Sequence, residues 1–135
     1  LVHLLGDMHC PTHVYYYPDN MTLGKFPVKL HGVETNYHKI WDGQLLDSRH
    51  KFWGFQDYRH ALDNYTDEEI ARMTEGTPVE WFEESARRCR EIYDWVQPGD
   101  ELGQEFYNAH APFAEYQLVL SGYRLAKVLN ALFDR

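Results

Sequence analysis

Basic residues are scarce in this chain: 13 Lys and Arg stand against 21 Asp and Glu in 135 residues, a formal charge of -8. That balance excludes a protein that holds nucleic acid through a broad basic surface, because a phosphate backbone needs positive charge to meet it. Cysteine is scarcer still. Cys10 and Cys89 are the only two, which excludes a disulfide-built scaffold and leaves open one bridge or two buried thiols. No apolar run approaches the roughly 20 residues that cross a bilayer as a helix. There is no repeat of solenoid period and no low-complexity tract, and 6 Pro with 9 Gly are too few for a fibrous or disordered chain. What is present, 44% apolar and 16% aromatic residues, suffices for the core of one compact domain.

Hydrophobic spacing gives the elements. Residues 1–9 suit a helix, with Leu1, Leu4, Leu5 and Met8 three and four apart until Pro11 ends it. The opening Leu1-Val2-His3 carries no capping residue, no initiator Met and no leader, and reads as a chain cut inside a helix. Up to about Thr35 the pattern is lost among Pro18, Asp19, Asn20, Gly24, Pro27 and Gly32, although Phe26, Val28 and Leu30 alternate as in a short extended or hairpin segment. This stretch is read as a long loop, a length that commonly serves binding. Helix resumes behind Asn36 as N-cap and runs through Tyr37, Ile40, Trp41 and Leu45, with a further short helix over residues 51–62. Thr66 and Glu69 form a capping box, and Thr77-Pro78 starts a helix that should reach Val96 with Phe82, Ala86, Cys89 and Tyr93 on its core face. After Pro98-Gly99 a last helix carries the stripe Leu118, Gly122, Leu125, Leu129 and Leu132, where Gly122 is expected to mark a close helix contact. The expected fold is all-α, an irregular helical bundle with a long loop between its first two helices and no sheet.

Eight histidines in an acidic chain are a second source of positive charge, because imidazole and carboxylate together are common zinc ligands. His3 with Asp7, and His38 with Asp42, repeat one spacing of four residues, which on a helix returns two side chains to the same face. His13 stands between the two pairs, just behind Pro11. His13, His38 and Asp42 would give three protein ligands with a fourth position open, the arrangement of a catalytic rather than a structural zinc. Taken singly, each of these residues reads as a packing or surface group; taken as a set, they favour a metal. His31, His50, His60 and His110 lack a partner at ligand spacing and read as surface or packing residues, while His9 is placed to orient a ligand. Two histidines and one carboxylate also serve mononuclear iron oxygenases, but those use a β scaffold that is not expected here.

The run His3-Leu-Leu-Gly-Asp7-Met-His9-Cys10-Pro11-Thr12-His13, followed by Tyr37-His38-Lys-Ile-Trp41-Asp42, resembles the zinc-binding core of the S1/P1 nuclease family, related in fold to bacterial zinc phospholipase C. Glu84-Ser85 and the run from Ser121 to Asn130 resemble that family's closing helices, so the likeness covers essentially residues 1–135. It implies a mainly helical fold and a cluster of three zinc ions. His3 and Asp7 would serve one ion, Asp7 would bridge to a second and so hold metals rather than move protons, and His13, His38 and Asp42 would hold the remaining one. Cys10 stands where Gln is usual, Thr12 where Leu is usual, and Tyr37 where Leu precedes the ligand histidine; none of these departures falls on a proposed ligand position. The family's initial Trp and its upstream His and Asp ligands have no counterpart, so the chain resembles the C-terminal half of such an enzyme. Only the site of His13, His38 and Asp42 would then be complete.

The resemblance implies hydrolysis of single-stranded DNA or RNA to 5′-nucleotides, often with 3′-nucleotidase activity, in a secreted or periplasmic protein. The fragment alone is expected to be inactive without the N-terminal portion of the same protein. Tyr15, Tyr16, Tyr17 and Phe26 are candidates for stacking on unpaired bases. Asn20 and Asn64 begin glycosylation sequons. A zinc phospholipase C-like lipid phosphodiesterase and a non-catalytic helical interaction domain are the alternatives.

Overall fold

The computed structural model describes residues 1–14 and 24–134. Its elements in chain order are α1 (Val2–Asp7), strands β1 (Pro27–Leu30) and β2 (Val33–Asn36), α2 (Tyr37–Lys39), a π-helical turn (Ile40–Gln44) and α3 (Leu45–His50). Then follow α4 (Phe55–Leu62), α5 (Asp67–Met73), α6 (Pro78–Arg90), a 3-10 turn (Glu91–Asp94), β3 (Glu101–Leu102) and α7 (Gln104–Phe133). The protein is mostly helical, as expected. Among the described residues no helix is long and apolar enough to cross a membrane.

A small sheet departs from the expectation of no strands. β1 and β2 form an antiparallel hairpin, Val28 opposite Thr35 and Leu30 opposite Val33, and β3 joins β1 in parallel through Lys29 and Glu101. The hairpin lies inside the stretch read as a long loop. Its tip takes His31 at φ 48° and Gly32 at φ 82°, the pair of positive φ values that a tight hairpin turn requires. Val28 and Leu30 turn inward at 3% and 7% exposure. The alternation noticed in the sequence was therefore a strand signal, and the Pro and Gly residues around it are its punctuation.

The hairpin leads straight into the helical run that carries the site. Asn36 caps it, its side chain accepting from the Lys39 amide at 3.0 Å. Tyr37, Ile40, Trp41 and Leu45 then bury against Val28, Leu30, Ile92, Val96 and Leu102 as the main core. Each such side chain contributes roughly 1.5–3 kcal/mol on burial. Tyr37 is fully buried and its hydroxyl donates to the Ile92 carbonyl at 2.6 Å, so the residue that departs from the usual Leu satisfies its polar end within the core.

Further along the chain the capping expectations hold. Thr66 with Glu69 and Thr77 with Glu80 both form reciprocal caps. The helix expected over residues 51–62 starts only at Phe55, because the Gly54 amide is taken by the Asp57 carboxylate at 2.8 Å as a cap. On α6 the inward face is Trp81, Ser85, Ala86 and Cys89, whereas Phe82 is 48% exposed, one residue out of phase with the expected stripe. On α7 the buried residues are Ala111, Gln117, Leu120 and Arg124. Leu118 and Leu132 face outward, and nothing lies within 4 Å of a Cβ built on Gly122, so no helix closes on it among the described residues. The core face of α7 is thus partly polar, and hydropathy alone pointed to the wrong side.

Candidate metal centre

The site is assembled from two short segments, residues 7–13 and 37–42. The first leaves α1 through consecutive tight turns, the amides of His9, Cys10 and His13 donating to the carbonyls of Gly6, Asp7 and Cys10 at 3.0 Å each. Pro11 and Thr12 are buried at its base. The second begins where the hairpin hands over to α2. The amides of Tyr37 and His38 donate to the carbonyls of Phe26 and Gly24, at 3.1 and 2.8 Å. Gly24 takes φ 75°, and a Cβ there would sit 3.5 Å from the His38 nitrogen. At that φ a side chain is strained. Thr12 donates from its hydroxyl to the His38 carbonyl at 3.5 Å and so ties the two segments together.

Four of the five sequence-derived candidates, Asp7, His13, His38 and Asp42, converge here. The two ring nitrogens of His13 face two carboxylates, Nδ1 at 2.5 Å from Asp7 Oδ1 and Nε2 at 2.7 Å from Asp42 Oδ1. His38 Nε2 lies 3.4 Å from the other oxygen of Asp42, and the two imidazoles stack with centroids 5.1 Å apart. A neutral imidazole has one N–H and one lone pair, and it is through the lone pair that histidine binds a metal. If Nδ1–H is given to Asp7, Nε2 presents a lone pair beside the Asp42 oxygen, the geometry in which a carboxylate behind a histidine fixes the tautomer for a metal. Asp7 and Asp42 keep 39% and 41% of their side-chain surface exposed, and among the described residues their ion pairs run only to histidines. Neither Lys nor Arg neutralises them there. The donor set therefore fits a divalent cation bound at a solvent-accessible position.

His3 does not join this group. It lies one turn before Asp7 on α1 and is exposed. Asp42 sits in the π-helical turn, where Gly43 takes φ 156°. With that non-helical φ the turn is a kink between two helical segments rather than a regular π-helix, and sequence periodicity did not signal it. Cys10 was also missed. Its Sγ lies 3.9 Å from Asp42 Oδ1 and 3.7 Å from the Trp41 carbonyl, to which it donates. Burial raises the Cys10 thiol above its ordinary value.

Behind the site His9 is 2% exposed, its Nδ1 donating to the Leu5 carbonyl at 2.7 Å. Its Nε2 accepts from Arg124 Nη1 at 3.1 Å, and its carbonyl accepts from Gln117 Nε2 at 3.0 Å. Arg124, itself 3% exposed, also donates to the Met73 carbonyl at 2.9 Å and to Glu84 at 2.5 Å. Burial holds the His9 ring below the ordinary histidine pKa, which keeps it neutral as the acceptor this network needs. His9 is thus tied to Gln117 and Arg124, and Arg124 to Glu84; the sequence marked Glu84 and the run holding Arg124 only by their resemblance to closing helices, and gave no sign that they meet His9.

The remaining candidates separate cleanly. Phe26 packs on Tyr37 with centroids 5.2 Å apart, a core contact rather than a base platform, while Tyr15, Tyr16 and Tyr17 lie outside the described residues. His50 stacks on Trp53 at 3.8 Å and His110 on Trp95 at 4.1 Å, both as packing residues. Asn64 donates to the Ala61 carbonyl at 2.8 Å and so closes the end of α4; Asn20 lies outside the described residues. Cys10 and Cys89 are both free thiols, the latter fully buried.

Comparison with known proteins agrees with the geometry. The S1/P1 Nuclease family matches residues 1–134. Endonuclease 2 of Arabidopsis thaliana is 27% identical over 154 residues, which cover 97% of this chain and 49% of that protein. Endonuclease 3 of the same plant is 28% identical over 154 residues, covering 99% of this chain and 50% of its own length. Endonuclease 4 is 26% identical over 152 residues, with 99% and 49% covered. The chain spans about half the length of these curated relatives. With a family match that runs from its first residue to its last but one, the chain belongs to the S1/P1 nuclease family.

Proposed function

We propose that this chain is the C-terminal portion of a zinc-dependent phosphodiesterase that hydrolyses single-stranded DNA or RNA to 5′-nucleotides. The observation that carries the reading is the convergence of His13, His38 and Asp42, with Asp42 29 residues from His13 and 4 from His38, on contacts of 2.7 and 3.4 Å beside Asp7, which meets the other nitrogen of His13. His13, His38 and Asp42 would hold one ion. When bound, a divalent zinc polarises phosphoryl oxygens and lowers the pKa of a coordinated water toward about 7.

The chain's own residues supply position. Asp7 holds the His13 ring by its Nδ1 and sets which nitrogen faces Asp42. Asp42 draws His13 and His38 to its two oxygens. The exposed side of this cluster admits a phosphate, and the cation answers the objection raised by the chain's net charge of -8. His3 and the free side of Asp7 would complete further metal positions together with residues of an N-terminal portion of the same protein. On this reading the present chain alone turns over poorly.

Metal analysis after dialysis at neutral pH tests the first step, and bound zinc is expected. A parallel assay on single-stranded DNA and on phosphatidylcholine, with a longer form of the protein that includes the N-terminal portion, tests the second. Cleavage of DNA to 5′-phosphate products is expected. Preference for the lipid would replace this reading with a phospholipase C-like one, and absence of bound metal would favour a helical interaction domain.

A further inference from the structure

We infer that Cys10 supplies a sulfur ligand to the metal held by His13, His38 and Asp42, which makes this centre a mixed sulfur, nitrogen and oxygen site. The inference rests on the metal reading above and adds to it a donor that the family's usual Gln at this position does not provide.

Cys10 Sγ, a ring nitrogen of His13 and a carboxylate oxygen of Asp42 all lie within 4.8 Å of one another. Ligand atoms around a tetrahedral zinc, with bonds of about 2.0–2.3 Å, sit roughly 3.3–3.8 Å apart. Cys10 Sγ lies 3.9 Å from Asp42 Oδ1, already close to that spacing, while His38 meets the other oxygen, Oδ2, at 3.4 Å and would close on the ion from the far side of the carboxylate. The turn that presents Cys10 is the one that presents His13, whose amide donates to the Cys10 carbonyl at 3.0 Å, so both side chains leave one rigid bend. The segment is held from behind by Arg124 and Gln117 through His9. The thiol donates to the Trp41 carbonyl and lies against Thr12 Oγ1 at 3.8 Å. A metal–sulfur bond would replace the S–H, the proton passing to solvent. Sulfur is a soft donor, so its presence shifts the centre toward zinc and cobalt and away from magnesium and calcium.

The test is cobalt substitution. The chain loaded with cobalt is expected to show visible ligand-field bands from the His and Asp donors and a near-ultraviolet sulfur-to-cobalt charge-transfer band. Cys10→Ser should keep the first and lose the second, and Cys89→Ala should keep both. Cys10→Gln restores the family's usual side chain and repeats the test should Cys10→Ser not fold. X-ray absorption on the zinc-loaded wild type, which needs no variant, should show one sulfur at about 2.3 Å beside lighter ligands at about 2.0–2.1 Å. Visible bands without the charge-transfer band, or absorption data without sulfur, would overturn the role of Cys10 and leave the metal site standing. A wild-type chain that takes up no cobalt or zinc would overturn both.

Discussion

Asp7 and His13 meet at 2.5 Å, and the purpose of so close a pairing is to fix one imidazole face. Asp7→Asn keeps an oxygen for His13 Nδ1 but loses the charge. Zinc affinity should fall roughly 10–100-fold, with an unchanged circular dichroism spectrum, the range seen when a partner behind a ligand is altered. Gly24, whose carbonyl accepts the His38 amide, takes φ 75°. Gly24→Ala should cost about 1–2 kcal/mol in urea unfolding, from the left-handed conformation alone. Cys89 gives a pH signature. Burial pushes its thiol from 9.0 up to about 12, so above pH 9.0 the unfolded chain binds fewer protons than the folded one and stability falls as pH rises toward 12. The alkaline limb of a urea-midpoint profile should flatten in Cys89→Ala. At this scale the sequence was informative where spacing is local. His38 and Asp42, four apart, could be read off directly, while Cys10 was not, because its proximity to Asp42 spans 32 residues and depends on how two segments pack.

Between elements, the buried Arg124 guanidinium is the common partner of α5 and α6 and of the turn after α1. It reaches the Met73 carbonyl, Glu84 and His9. Arg124→Met removes the cation and leaves three acceptors facing an apolar side chain. Unfolding free energy should drop by about 3 kcal/mol, the lower end for breaking a buried pair because Glu84 keeps a third of its surface in water. Loss of zinc affinity should accompany it if the clamp orders residues 9–13. The helices themselves were legible, since caps such as Thr66 with Glu69 and Thr77 with Glu80 are local chemistry. Their facing was legible only in part. On α7 the Leu118, Leu125 and Leu132 stripe suggested a core, yet the buried side carries Gln117 and Arg124, whose N–H donors find partners far along the chain. Periodicity weighs hydropathy and cannot count such partners.

For the molecule as a whole, apolar side chains on α1 and α7 remain in water: Leu4 at 69%, Leu118 at 47% and Phe133 at 75% exposure. The curated relatives are about twice as long, and on the reading proposed above the remainder of the protein covers part of this surface. The 135-residue chain should therefore cleave single-stranded DNA far more slowly than a longer form, measured at equal zinc, and comparable rates would refute the division of labour. The His9 to Arg124 contact closes a separation of 115 residues. A nascent chain therefore displays every nitrogen and carboxylate donor of the cluster by residue 42, long before the guanidinium that steadies them leaves the ribosome. Early in synthesis these groups would be loose chelators, and a selective cradle would exist only once residue 124 has been added and has folded back onto His9. Premature termination ahead of residue 124 should yield polypeptides that pick up metal weakly and indiscriminately.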